Sequence, residues 1–283
     1  MTQAYIKNKL LGILGFILFI IVLTPFLIVL LNSAKPAISI ISSPLALPEH
    51  WSLLFKNIHS VVKNPNMRYW NAFFNSIFIT AVSLILIVLF SSMAAWVLVR
   101  NKTKWSTIIF LCIVAAMTIP FQAVMLPLLS WFRQFGDFTG IKLLTNHQGL
   151  IFAYIGFGSS MSVFILHGFT KGIPFELEEA AIIDGCTTEG VFGHVVFPLL
   201  QPVQITVLIL NGIWIWNDYL LPSLVLGGKV KTLPIAVMTF VGSYVKQWDL
   251  ILTSTLLAML PVIILFIFAQ KYIIKGMVEG SIK

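Results

Sequence analysis

Six long apolar runs set the tightest limit on the fold that this chain can adopt. They are Leu10–Leu31, Ala72–Val99, Trp105–Leu129, Gly149–Phe169, Val203–Leu226 and Ile251–Tyr272. About 20 apolar residues let a helix cross the hydrocarbon core of a bilayer, and only helices and closed barrels satisfy their backbone hydrogen bonds there. The runs lack the alternation of apolar and polar residues that barrel strands show. The sequence therefore predicts an all-α, polytopic membrane protein with six transmembrane helices.

The composition excludes several other classes of function. Hydrophobic residues make up 58% of the chain, against roughly 45–50% in soluble domains. Six helices with short loops account for the 283 residues, so no room is expected for a separate enzyme domain. The net charge of +8 comes from Lys and Arg near the ends of the apolar runs, as is usual in membrane proteins. No basic stripe interleaved with aromatic residues indicates nucleic-acid binding. Cys112 and Cys186 stand in unlike surroundings and indicate neither a disulfide framework nor a metal site.

The positions of the cations predict the orientation of the helices. Cations are equally numerous on the two sides of the membrane, but short loops carry most weight in the positive-inside rule. The short link Arg100–Lys104 holds three cations in five residues, and Lys7 and Lys9 directly precede the first run. We therefore expect both termini, and the loop of residues 170–202, to lie in the cytoplasm.

The same runs predict the division of the chain. The run Leu10–Leu31 is longer than the roughly 7–15 apolar residues of a cleaved signal, so we interpret it as the first membrane helix. Residues 1–71 are expected to form this helix and an extracellular segment. Residues 72–272 are expected to form the membrane core, and residues 273–283 a cytoplasmic tail.

Half of the acidic residues lie in one short segment, FELEEAAIIDGCTTEGVFGHVVFP at Phe175–Pro198. Its carboxylates are Glu176, Glu178, Glu179, Asp184 and Glu189, five of the ten in the chain. Pro174 and the first acidic residues are typical of a helix start, Gly185 of a helix end, and Thr188 of the cap of a second short helix. The helical period places Leu177, Ala180, Ala181 and Asp184 on one face. The segment is predicted to be either a docking helix or a merely solubilising loop. Its one histidine, His194, stands apart from the Glu176–Glu179 cluster, and no metal-ligand spacing indicates catalysis.

Two of the six apolar runs, the fifth and the third, contain polar or helix-breaking residues. In the fifth run, Trp214, Asn217, Asp218 and Tyr219 are side chains that can stack on a sugar and hydrogen-bond to it, and ionisable residues in membrane segments indicate function. The same residues also suit an aromatic belt at the outer membrane interface. In the third run, Pro120 and Pro127 are expected to bend the helix, either beside a transport pathway or as an ordinary packing irregularity.

The acidic segment resembles a family signature. The pattern Glu179-Ala180-Ala181, three residues, Gly185, nine residues and then Val195 to Pro198 is similar to the EAA signature of ABC importer permeases. Val195 and Phe197 stand where that family prefers Ile and Leu. The stretches FFNSIFIT, IPFQAVMLPL and IWNDYLLP also resemble the sugar-importer branch, the family of the smaller subunit of the maltose permease.

This resemblance implies a fold, a mechanism and a set of partners. The fold would be the MetI-like permease fold of type I ABC importers, with the EAA segment as a helix that couples to a cytoplasmic ATPase. The implied coupling residues are Glu179, Ala180, Ala181, Asp184, Gly185 and Pro198. Glu179 would pair with a basic group of the ATPase, the two alanines would permit close packing, and the tail Lys275–Lys283 would enter the ATPase dimer interface.

The implied partners are a second, homologous permease subunit in a heterodimer, an ATPase dimer, an extracellular solute-binding protein, a sugar and the lipid of a bacterial plasma membrane. No phosphate-binding loop of the form GxxxxGK[ST] occurs in the chain, so ATP and magnesium are expected on the ATPase. The resemblance favours an oligosaccharide as the sugar. The alternatives are a permease of the same family for glycerol phosphate or another polar solute, an ion-coupled secondary transporter, and a membrane-embedded enzyme or assembly factor.

Overall fold

The computed structural model describes residues 2–242 and 246–281, and their side chains from residue 9 to 268 and at Gln270. Within these ranges the chain is helical and contains no strand beyond a single bridge between Val241 and Lys246. The helices are α1 Thr2–Ser33, α2 Ala37–Ser42, α3 Ser52–Lys63, α4 Tyr69–Arg100, α5 Lys104–Ala116, α6 Phe121–Thr139, α7 His147–Thr170, α8 Glu176–Ile183, α9 Thr188–Val191, a π-helix at Phe192–Val196, α10 Phe197–Leu199, α11 Gln201–Asn217, α12 Leu220–Leu226, α13 Leu233–Val237, a 3₁₀ turn at Met238–Phe240, and α14 Trp248–Ser281. The side chains of the predicted tail, residues 273–283, lie outside the described residues.

Four helical segments among the described residues are long and apolar enough to cross a membrane unbroken. They are Lys9–Ser33, Tyr69–Arg100, His147–Thr170 and Trp248–Phe268. Two bent helix pairs bring the number to six if each pair is one span. The predicted third and fifth runs are therefore not single straight helices.

The third run breaks at the first of its two prolines. The axes of α5 and α6 differ by 105°, and Pro120 precedes α6 in an extended conformation, with φ −65° and ψ 135°. Proline disfavours helical backbone in the residue before it, so α5 ends at Ala116 and a new helix begins after Pro120. Pro127 lies within α6, so the chain breaks at only one of the two positions where a bend was expected.

The fifth run is also divided. Helix α11 is bent by 73° from the preceding helical segment Thr188–Leu199, and it ends at Asn217 because Asp218 is extended, with ψ 127°. The chain then re-enters a helix at Leu220. The residues predicted to line a substrate path thus lie at a helix end.

The chain divides into two compact units. One comprises Met1–Trp70 and Ala236–Pro261, and the other Asn71–Ile235 and Val262–Lys283. In the first unit the end of α1 is held by polar contacts: the buried Lys35 ammonium donates to Asn32 Oδ1 and to the Ser43 and Pro44 carbonyls, and Asn57 donates to the Ser33 carbonyl. The second unit contains both the acidic loop of residues 170–202 and the polar residues Trp214–Tyr219.

The core of the second unit is formed mainly by α4, α7 and α11. Its buried side chains include Ile79, Ile87, Leu150, Tyr154, Leu166, Val203, Val207 and Ile215. A polar contact crosses this core, since Asn211 Nδ2 donates to Ser162 Oγ over 3.0 Å, and both side chains are buried.

At Gly158, α7 packs against α4 and α11 without room for a side chain. A Cβ there would lie 2.7 Å from Ile87 Cδ1 and 2.8 Å from Asn211 Oδ1, and Asn211 is held in place by its bonds to Ser162 and Val207. Overpacking a core costs about 1–3 kcal/mol. We expect Gly158→Ala to lower the free energy of unfolding by that amount, measured as a lower midpoint of thermal unfolding in detergent.

Gly156 is the matched control, because it lies on the same helix and a Cβ there meets nothing within 4 Å. Gly156→Ala should leave the midpoint unchanged or raise it slightly, since Ala favours helix over Gly. Equal midpoints for the two variants would contradict the tight packing at Gly158.

Candidate docking surface and polar segment

The acidic loop, residues 170–202, begins with a helix whose end is fixed by glycine. Gly185 has a φ of +90°, the left-handed region that glycine adopts without strain. The Cys186 amide donates to the Ala181 carbonyl over 2.9 Å and the Gly185 amide to the Ile182 carbonyl over 3.0 Å, which together form a Schellman motif. The predicted role of Gly185 as the residue that ends α8 is confirmed in this structure.

The next short helix starts one residue earlier than predicted. The Thr187 hydroxyl, rather than that of Thr188, accepts a hydrogen bond from the Gly190 amide over 3.2 Å. Pro198 lies at the start of α10 and is exposed. The loop is therefore an ordered series of short helices leading into α11.

The outward face of α8 is shifted by one residue from the predicted one. Glu176, Glu179, Ala180 and Ile183 are exposed and stand at i, i+3, i+4 and i+7, so they form one stripe. Ile183 is 85% exposed. Ala181, which was predicted on the outward face, is buried against the core.

The surface around this stripe combines apolar and acidic groups. Phe175, Leu177 and Ile182 are exposed beside it, and Asp184 is exposed at its end. Protein interfaces commonly have an apolar centre with a polar rim. We call the stripe Glu176, Glu179, Ala180 and Ile183 the docking face.

The structure buries a carboxylate that the sequence did not single out. Glu178 is 2% exposed and its carboxylate is paired with Arg100 at 2.7 Å, while Glu179 beside it is exposed. Arg100 lies 78 residues earlier in the chain, so no local pattern identifies it as the partner.

The polar segment Trp214–Tyr219 brings four predicted residues to the end of α11. Asp218 is half-buried and its Oδ2 accepts a hydrogen bond from the Tyr154 hydroxyl over 3.1 Å, while its Oδ1 accepts one from the Leu220 amide. Trp214 contacts the Tyr154 ring edge to face at 5.4 Å. Trp214 and Tyr219 are 41% and 43% exposed, and Asn217 is exposed as well.

Tyr154 is the residue of this site that the sequence analysis missed. It lies on α7, two turns after the start of that helix, and is 1% exposed. Its ring is part of the core, so only the hydroxyl reaches a polar partner. An apolar run gives no sign that one of its aromatic residues meets an aspartate 64 residues away.

Residues 87–279 match the protein family described as "Binding-protein-dependent transport system inner membrane component". Among curated relatives, the probable starch degradation products transport system permease protein AmyC of Thermoanaerobacterium thermosulfurigenes is 41% identical over the whole of both chains. The arabinooligosaccharides transport system permease protein AraQ of Bacillus subtilis is 32% identical over 92% of this chain and 90% of its own. The melibiose/raffinose/stachyose import permease protein MelC of the same organism is 36% identical over 75% of this chain and 76% of its own.

One solved structure shares the fold. It is a crystal structure of a bacterial ABC transporter involved in the import of the acidic polysaccharide alginate, and the chain matches it with a TM-score of 0.78 over 96% of its length and 98% of the other chain. The two chains are 20% identical, so the likeness concerns the fold alone.

Proposed function

Because the chain belongs to the family of binding-protein-dependent transport system inner membrane components, we propose that it moves an oligosaccharide across the membrane. It is a multi-pass membrane subunit of an ABC importer and a transport protein rather than an enzyme. This membership removes the basis for the alternative of an ion-coupled secondary transporter. The predicted all-α permease fold is confirmed.

The observation that carries the substrate class is the agreement of three relatives. The proteins named for starch degradation products, arabinooligosaccharides, and melibiose, raffinose and stachyose are 32–41% identical to this chain. Each is named for a sugar longer than a monosaccharide or for products of a polysaccharide. The shared cargo class is therefore oligosaccharide.

The substrate proposal is tested by uptake. The subunits that co-purify with this chain are reconstituted with the binding protein in vesicles, and uptake of maltotriose, arabinotriose, raffinose and glycerol 3-phosphate is measured with ATP inside. We expect ATP-dependent uptake of at least one of the three sugars. Uptake of glycerol 3-phosphate alone, or of none of the four, would overturn the proposal.

The importer requires a cytoplasmic ATPase and a solute-binding protein beside this chain. We propose that a second, different permease subunit completes the pathway as a heterodimer, and that ATP and magnesium bind the ATPase. The tail of residues 273–283 is proposed to reach the ATPase dimer interface. Co-purification followed by identification of the bound chains tests the heterodimer, and a complex with this chain as its only permease would contradict it.

We propose that the docking face of α8 binds the ATPase. Four observations support this: the face is exposed, it combines two carboxylates with apolar side chains on and beside it, it lies on a helix whose end is fixed by the Gly185 turn, and it holds Glu179 and Ala180 of the EAA pattern. The buried Ala181 lies on the opposite face of α8, where its small side chain lets the helix pack close to the core.

We also propose that Trp214, Asn217, Asp218 and Tyr219 line the path of the sugar. Trp214 and Tyr219 offer aromatic faces, and Asp218 offers a carboxylate already oriented by Tyr154 and the Leu220 amide. Such a set can stack on a sugar ring and accept hydrogen bonds from its hydroxyls.

The two native cysteines allow a test of the proposed orientation. Cys186 is exposed in the acidic loop and Cys112 is exposed on α5. If the loop is cytoplasmic, a membrane-impermeant maleimide should label Cys186 in inside-out vesicles and not in right-side-out vesicles. The Cys186→Ser variant is the control for labelling at Cys112, and labelling of Cys186 from the outside would contradict the orientation.

A further inference from the structure

The Glu178 carboxylate is held on both of its oxygens by the last turn of α4. Arg100 Nε donates to Oε1 over 2.8 Å, and Nη2 lies 2.7 Å from the same oxygen. Trp96 Nε1 donates to Oε2 over 3.0 Å. Trp96 and Arg100 are four residues apart and therefore lie on one face of α4. The Glu178 side chain is 3% exposed, so water has little access to replace either partner.

Helix α4 also holds the chain on both sides of α8. Before α8, Arg100 Nη2 donates to the Ile173 carbonyl over 3.0 Å, and the guanidinium lies 5.6 Å from the centre of the Phe175 ring. After α8, the Trp96 ring packs on Phe192 of the π-helix with ring centres 5.5 Å apart. Contacts before, within and after α8 fix its orientation as well as its position relative to the end of α4.

We propose that Trp96, Arg100 and Glu178 are positioning residues that pass a displacement of α8 to α4, a link that rests on the proposed docking of α8 on the ATPase. If α8 moved without α4, the ion pair between Arg100 and Glu178 would separate and leave a buried carboxylate without its cation, which is strongly unfavourable. The end of α4 therefore moves with α8. Helix α4 has 32 residues and is apolar enough to span the membrane unbroken. A displacement of its end at Arg100 therefore also moves the part of the helix that lies in the membrane.

The link is tested in the complete transporter, reconstituted with its partner subunits and the binding protein. Three quantities are measured: the amount of ATPase that co-purifies, the rate of ATP hydrolysis, and uptake of the sugar identified above. The double variant Arg100→Met with Glu178→Gln leaves no unpaired buried charge. It also retains the contact with Trp96, because the carbonyl of the introduced glutamine can still accept a hydrogen bond from the indole. Glu189→Gln, an exposed position in the same loop on α9 rather than on α8, is the matched control.

We expect the double variant to retain the ATPase at the wild-type amount while sugar taken up per ATP falls about fivefold or more, the lower end of typical coupling between sites. The Glu189→Gln control should match the wild type in all three quantities. Wild-type uptake per ATP in the double variant would overturn the link, because the ion pair would then only stabilise the loop.

A second variant keeps the test decisive if the double variant loses the ATPase. Trp96→Phe preserves the ion pair and the packing on Phe192 but removes the hydrogen bond to Oε2. We expect it to retain the ATPase and to lower uptake per ATP, and an unchanged ratio would overturn the link. Failure of the proposed function looks different, since no ATPase would then co-purify even with the unaltered chain.

Discussion

Replacing Glu179 with Lys is expected to abolish most sugar uptake while the protein still inserts into the membrane. Glu179 is exposed on the docking face, and its carboxylate makes no hydrogen bond or ion pair within the described residues, so the fold should be unaffected. In the proposed complex Glu179 faces a basic group of the ATPase, so a lysine in its place would be repelled by that group where the carboxylate is attracted to it. Losing a charged pair at an interface costs about 2–5 kcal/mol, which corresponds to at least about a thirtyfold loss of binding.

Two measurements decide the Glu179→Lys prediction. Membrane insertion is followed by the amount of folded chain extracted in detergent, and docking by ATPase co-purification together with ATP-dependent uptake. Glu189→Lys makes the same change of charge in the same loop, on α9 rather than on the docking face of α8, and should leave both unchanged. If Glu179→Lys transported sugar at the wild-type rate, α8 would not dock through this face.

Replacing Asp218 with Asn is expected to lower uptake about tenfold, which corresponds to about 1.4 kcal/mol. Hydrogen bonds from sugar hydroxyls to a carboxylate are charge-assisted and stronger than those to a neutral amide. The asparagine side chain is nearly the same size and can still accept from the Leu220 amide, so the end of α11 should keep its shape. Uptake and the preference among sugars are measured in the reconstituted transporter, with ATPase co-purification as the check on assembly.

Tyr154→Phe separates the two roles of Asp218. It removes the hydrogen bond that the Tyr154 hydroxyl donates to Asp218 but leaves the carboxylate in place. If the carboxylate contacts sugar, Tyr154→Phe should lower uptake much less than Asp218→Asn does. Unchanged uptake and sugar preference in Asp218→Asn would make Trp214–Tyr219 an anchor at the membrane interface, the alternative that the sequence left open.

The sequence allowed the membrane class and the acidic helix to be predicted because both depend on local properties. A run of about 20 apolar residues predicts a segment that can span a membrane, and the turn after α8 depends on one glycine. The exact outward face of α8 could not be predicted in the same way. Helical periodicity defines which residues share a face, but the neighbouring elements determine which face is buried.

The two adjacent glutamates show where this limit lies. Glu178 and Glu179 are chemically identical and the EAA resemblance directed attention to Glu179, yet only Glu178 meets Arg100 and Trp96. That contact joins residues 78 and 82 positions apart. Tyr154 and Asp218 likewise meet across 64 positions.

The sequence by itself determined that this chain is a helical membrane protein, and it contained the EAA pattern that identified an importer permease. The tertiary structure alone decided that the third run breaks at only one of its two prolines, that Ala181 faces inward, and that α8 is joined to α4 through a buried ion pair. The physical reason is that hydrophobicity and turn chemistry act over a few residues, whereas burial and charge pairing depend on which distant helices pack together.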